Sequence, residues 1–357
     1  MAIIAAGDRN SLQFDDKEIL SFVDAEPLSS EPRGFAPEQM ITCDACLRAN
    51  PPTRTSCLYC AAQLPKTEAN AALQRPQLRK LEKWEQGFNV ILLPKTEAQV
   101  SEEVLKDAAQ LLRLEQEELR RIVELSLPLP LARAATDQEA SLIESKVKEM
   151  ELNALVIADA DLTLTNSVQK RARAFELNES ELVAHSAGGA DVWRLAWTEI
   201  ILLVAGRLIT QKIELEERPS GRKAENEIVN ARQMSEDEAV LDIYTARSDG
   251  GLRITAGNFD FSCLGAQKGL ITAQNFSTLA NVLRERASEA IYDDSYMRVR
   301  RALEITWPVE QHTEARGWRR ERPGRVNTEA VTTSDNEMQF TRYSRLRYYL
   351  TLHHTEL

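Results

Sequence analysis

Four of the five cysteines fall in two short pairs, Cys43-x2-Cys46 and Cys57-x2-Cys60, with ten residues between the pairs. Each pair can turn two thiolates toward one point. Four soft thiolates at the corners of a tetrahedron are a ligand set that zinc accepts readily. Such a site leaves no open position for water, so its metal folds a segment of chain and performs no catalysis. A structural Zn2+ held by Cys43, Cys46, Cys57 and Cys60 is therefore the expected cofactor. The competing reading is a pair of redox CxxC motifs. Redox motifs stand singly beside a βαβ unit, and no such unit surrounds these cysteines. Cys263 lies far away among apolar residues and reads as an inert core thiol.

With Asn50 between the two pairs, the spacing resembles the Ran-binding-protein type zinc finger and the bacterial zinc ribbons with a CxxC…NPP…CxxC pattern. The resemblance is confined to residues 43–60. It implies that Asn50 ties down the loop between the cysteine pairs. It carries over the family's ligands less well. Ile41 stands where the family usually carries tryptophan, and Pro51 stands where RNA-binding members place a stacking aromatic. Of the pair that follows, Thr53 and Arg54, only Arg54 is basic. Without a stacking platform about 1–3 kcal/mol per base is lost. Leu47 and Arg48 occupy the positions where ubiquitin-binding members carry Thr-Phe. A structural or protein-docking knuckle is the expectation.

The elements around the knuckle read as a multidomain α+β chain. Residues 1–40 hold eight carboxylates against three basic side chains and little periodicity, as an extended acidic arm does. The knuckle spans 41–62 and a linker 63–77. A small α/β domain is predicted over 78–160. It has an apolar strand at 88–93, a helix begun by Ser101, a second helix over 115–125 and an extended proline segment. Thr136 and Glu139 then form a capping-box pattern opening a third helix, and a strand follows at 153–158. The stretch from Thr136 to that strand resembles the C-terminal domain of the ribosomal stalk protein. Residues 165–290 read as a strand-rich unit closed by a helix over 273–287, a pattern similar to a pleckstrin-homology-like barrel. In it the acidic stretch 214–238 reads as a loop.

The last segment, 291–357, reads as an Arg/aromatic-rich arm. Between 298 and 350 eleven arginines face seven carboxylates, so the local balance is positive in a chain of net charge −11. Trp318, Arg319, Arg320, Arg322 and Arg325 sit in an expected loop; Arg342, Tyr343 and Arg345 sit in an expected helix. Arginine forks stack on rings and bridge carboxylates, so these eight residues are candidate interaction residues. Their expected occupant is the chain's own acidic body, a sister subunit or another protein, with single-stranded nucleic acid as the alternative.

No GxGxxG, P-loop, GxSxG or HExxH pattern occurs, so the usual nucleotide, hydrolase and zincin readings lose their entry point. Asp159 and Asp161, with Glu176, are the carboxylates a metal-dependent hydrolase would use, but two carboxylates after a strand end read first as a solvated turn. The longest apolar run, within 200–206, is too short to span a bilayer. A cytoplasmic, non-catalytic zinc-binding adaptor or assembly protein is expected. A single-stranded RNA-associated protein using the knuckle and the C-terminal arm is the second reading.

Overall fold

The computed structural model describes residues 35–353 except 66, 68–69, 71–72, 75, 77, 80, 83–84, 95–99, 163–169, 219–226, 248–250 and 323–324. Of 227, 318–322 and 325–326 it describes the backbone alone. Most of the expected acidic arm, 1–34, lies outside the described residues.

The knuckle opens with β1 (Ile41–Thr42), paired antiparallel to β2 (Ala49–Asn50). The next unit runs β3 (Phe88–Leu92), α1 (Glu102–Leu112), α2 (Gln116–Glu124), β4 (Leu129–Ala134), α3 (Asp137–Glu149), β5 (Ala154–Ala158) and α4 (Asp159–Leu162). Its sheet has the order β4-β3-β5, antiparallel throughout. The proline segment is the edge strand β4. Pro130 lies where the β3–β4 register shifts, a position that tolerates the missing N–H. Ser101 accepts the Val104 amide and Thr136 accepts the Glu139 amide, so both helices start at capping side chains. The Glu139 carboxylate also reaches the Leu78 amide at 2.8 Å, fastening the incoming chain to α3.

The strands that follow are β6 (Lys170–Arg171), β7 (Ala174–Leu177), β8 (Glu181–His185), β9 (Val192–Ala196), β10 (Ile200–Arg218), β11 (Glu227–Thr245) and β12 (Leu252–Thr255). After them come α5 (Thr272–Arg286), β13 (Ile291–Asp293), α6 (Tyr296–Leu303), β14 (Glu310–Arg322), β15 (Arg325–Asp335) and α7 (Glu337–His353). Among the described residues the expected barrel does not close, and its large sheet curls only into a half-barrel. Its strands divide between a three-stranded sheet, β7-β8-β9, and an open seven-stranded sheet of order β14-β15-β10-β11-β12-β6, with β13 also on β10. Helix α5 packs through Phe276, Leu279 and Leu283 onto Leu203, Leu241 and Ile243 on one face of the large sheet. It plugs no barrel end.

The opposite face of the same strands carries Leu202, Val204, Val240 and Tyr244. These pack with Tyr296, Val299, Phe340, Tyr343 and Leu346 of α6 and α7, and with the core of the 88–162 unit. Burial on both faces explains the unbroken apolar run at 200–204. The C-terminal stretch read as an arm thus supplies three strands and two helices to this body. Gly206 lets the rings close in: a Cβ there would lie 2.5 Å from the Phe340 ring.

The expected acidic loop over 214–238 is instead the outer half of the β10–β11 hairpin. Beyond Leu208 and Ala239 no described residue of either strand belongs to a core cluster. There the strands are held by ladder bonds, and β15 pairs β10 from Thr210↔Asp335 to Glu217↔Thr328. Segment 317–325, expected as a loop, is mostly the β14–β15 hairpin.

Candidate metal centre

The two cysteine turns have the same construction. The Cys43 carbonyl accepts the Leu47 amide at 2.8 Å, and the Cys43 amide donates to the Arg48 carbonyl at 3.0 Å. In the second turn the Cys57 carbonyl accepts the Ala61 amide at 3.1 Å, and the Cys57 amide donates to the Ala62 carbonyl at 2.8 Å. In each turn the residue after the second cysteine is left-handed, Leu47 at φ 58° and Ala61 at φ 60°. That conformation suits glycine, and its cost shows that the turn geometry outweighs local preference here.

The turns bring the four Sγ atoms within 4.8 Å of one another. Cys43 and Cys60 lie 3.6 Å apart, and Cys46 and Cys57 lie 3.5 Å apart. A disulfide needs about 2.05 Å. A tetrahedron with metal–sulfur bonds of about 2.3 Å has edges near 3.8 Å. The spacing therefore matches ligands around a metal ion and excludes sulfur–sulfur bonds. Cys43 and Cys57 are buried, and Leu64 packs against them.

Asn50 is fully buried and joins the two turns. Its Nδ2 donates to the Arg48 carbonyl at 2.8 Å and to Cys57 Sγ at 3.4 Å, while its Oδ1 accepts the Leu58 amide at 2.8 Å. Burial raises the Cys57 thiol's pKa, but the Tyr59 and Cys60 amides and the Asn50 side chain overcome it and bring it to about 6. The Arg48 amide pulls Cys46 down, yet burial and the neighbouring sulfurs carry it up to about 12. Cys57 thus gives up its proton more readily than Cys46. Arg54 donates through Nε to the Ser56 carbonyl at 3.1 Å, so it braces the loop.

Three large apolar side chains stand exposed on the knuckle, beside the charged Asp44 and Arg48. Leu47, Leu58 and Tyr59 are 78%, 53% and 56% exposed, and the Arg48 guanidinium lies 4.7 Å from the centre of the Tyr59 ring. Leu64 leaves the knuckle and its carbonyl accepts from Gln138 of α3 at 3.2 Å, the contact that seats the knuckle on the α/β unit.

The other sequence candidates are placed elsewhere. The backbone of Trp318, Arg319, Arg320, Arg322 and Arg325 lies in the β14–β15 hairpin, and their side chains lie outside the described residues. Tyr343 and Arg345 are buried in α7, because the stripe Phe340, Tyr343 and Leu346 turns that face inward. Tyr343 donates to Asp293 at 2.9 Å, and Arg345 donates to the Leu162 carbonyl at 3.3 Å. Arg342 is half-buried beside a cavity.

Asp159 is engaged by Arg133, by the Asn89 amide group at 2.9 Å and by the Gly87 amide at 2.8 Å. Asp161 is exposed, and Glu176 pairs with His185 on a different sheet. These carboxylates do not converge. Sequence reasoning passed over the buried ion pairs Asp242–Arg253 and Asp293–Arg347. Their signal was a charge inside an apolar strand, as Asp242 stands between Leu241 and Ile243.

Comparison with known proteins adds no relative: no family model matches the chain, and neither curated proteins nor solved structures contain a match.

Proposed function

We propose that the chain is a non-catalytic, zinc-dependent adaptor or assembly protein that engages another protein through its knuckle. The observation that carries this reading is the union of a closed four-thiol site with three large exposed apolar side chains on its two turns. A metal there would fix the turns, and the turns carry Leu47, Leu58 and Tyr59 exposed, with Arg48 of the first turn lying over the Tyr59 ring of the second. Aromatic and aliphatic anchors of this kind dominate the energetics of protein interfaces. The thiolate set and the spacing support zinc over harder ions, which prefer oxygen ligands. Tyr59 under Arg48 offers a partner a ring already held in place.

The test is affinity capture from native lysate with three forms: the unchanged chain, a triple variant Leu47→Ser, Leu58→Ser and Tyr59→Ser, and Cys57→Ser. The expected result is one zinc per chain in the first two forms by elemental analysis, with a protein partner recovered by the unchanged chain alone. Equal recovery of that partner by the triple variant overturns the docking surface. Salt-sensitive binding of single-stranded RNA by the unchanged chain, lost with Arg54→Ala, replaces the proposal with the nucleic-acid reading.

A further inference from the structure

A cavity of about 470 Å³ lies between β4, the end of α1, the segment before β14, and α7. That volume falls within the range of small-molecule pockets, about 300–1,000 Å³. Its apolar wall includes Leu112, Leu131, Ile305 and Trp307. The wall is held rigidly. Trp307 Nε1 donates to Asn89 Oδ1 at 2.9 Å, and the Trp307 carbonyl accepts from Gln339 Nε2 at 2.8 Å.

Arg342 lines this cavity from α7. Its Nε is buried without a hydrogen-bond partner, and the side chain forms no ion pair among the described residues. Burial, joined by the nearby Arg133 cation, lowers its pKa from the ordinary value against the pull of Asp159 and Glu310, neither of which forms an ion pair with it. A partly buried guanidinium with an orphaned donor is costly unless a ligand satisfies it. The neighbouring arginines are differently placed. Arg79 is committed to Glu85 and Arg133 to Asp159, whereas Arg113 is exposed at the rim. Glu304 and Glu310 also line the cavity. With Arg79 and Arg133 already paired and Arg113 out at the rim, Arg342 is the one partly buried guanidinium among the described lining residues left to meet an anion, and a single cation matches a monoanion.

We infer that this cavity binds a small carboxylic acid with an apolar body, its carboxylate paired with Arg342 and its body against Ile305 and Trp307. The planar guanidinium matches a carboxylate in shape and hydrogen-bond spacing. This site is separate from the knuckle and does not depend on the adaptor reading.

The probes are matched pairs, hexanoate with hexanamide and benzoate with benzamide, titrated into the full zinc-loaded chain by calorimetry and ligand-observed NMR. The expected result is binding of each acid at least tenfold tighter than its amide. Arg342→Met should weaken the acids about tenfold and leave the amides unchanged. Val309→Glu, at the cavity wall, should repel the acids by added charge without removing Arg342, and covers the case in which Arg342→Met does not fold. Equal affinities for acid and amide in the unchanged chain overturn the inference. So does acid binding that survives both substitutions.

Discussion

At the scale of single residues, the described structure places several charges where water cannot reach them, and each has a specific partner. Asp159 is 3% exposed and is held by Arg133, Asn89 and the Gly87 amide. Burial pushes its carboxyl upward, but these hydrogen bonds and the guanidinium outweigh burial and hold it below the usual value. A depressed folded-state pKa contributes stability that is complete above the unfolded value, about 3.9, and is lost as pH falls through the folded value. The urea midpoint should therefore be flat with respect to this group above about pH 5 and should drop below about pH 4. Asp159→Asn should remove that part of the acid dependence. It should also cost about 3–5 kcal/mol at pH 7, because Arg133 is left buried without its anion. Urea titrations of both forms between pH 3 and 7 check the sign. The cysteine ligands were fully legible at this scale, since short-range spacing alone sets which thiols a turn can bring together. The partner of Asp159 was not: Arg133 and Asn89 come from strands that only tertiary pairing sets beside it.

At the scale of elements, helix starts were readable and long polar strands were not. Ser101 and Thr136 act on amides three residues away, so their role is local. The outer half of β11 carries charge on both faces, and in β10 the polar–apolar alternation is confined to the short stretch from Lys212 to Glu216, so the period-two signal that marks a half-buried strand is weak across the hairpin. The second partner of β10's outer half, β15, comes more than a hundred residues later, as the pairing Thr210↔Asp335 shows, and β14 in turn pairs β15. The meeting of β10 with α7 gives a sharp test. A methyl at Gly206 would lie 2.5 Å and 2.8 Å from Phe340 ring carbons and 3.0 Å from Tyr296 Cδ1. Both rings are fully buried and cannot move aside. Gly206→Ala should destabilise the chain by about 1–3 kcal/mol through overpacking. Equilibrium urea unfolding should show this as a lower midpoint with an unchanged slope.

At the scale of the whole molecule, the cysteine cluster and its small packing group stand apart from the two large cores. The knuckle buries too little apolar surface to be stable by itself, so its folding is expected to depend on a metal bound by the four cysteines. The larger cores do not. Chelation with excess EDTA should melt the knuckle alone. Amide exchange should become fast over 41–62 while protection in β10, β11 and α7 is retained, and the main thermal transition should move little. Collapse of that protection together with the knuckle would show that the metal holds the entire chain.

The sequence alone determined that the four cysteines come together, the Asn50 tie, the helix starts at Ser101 and Thr136, and the strand-rich middle. Each depends on residues close together in the chain or on one face of one element. Only the tertiary structure decided that the arginine- and aromatic-rich end is built into the body. Trp307, Phe340 and Tyr343 are apolar enough for a core, yet their positive surroundings suggested a free surface. Which of the two they join depends on strands β10 and β13 closing over them, and no local pattern encodes that closure. The packing of α7 against β4 and the segment before β14 left Arg342 beside a cavity with no ion-pair partner among the described residues.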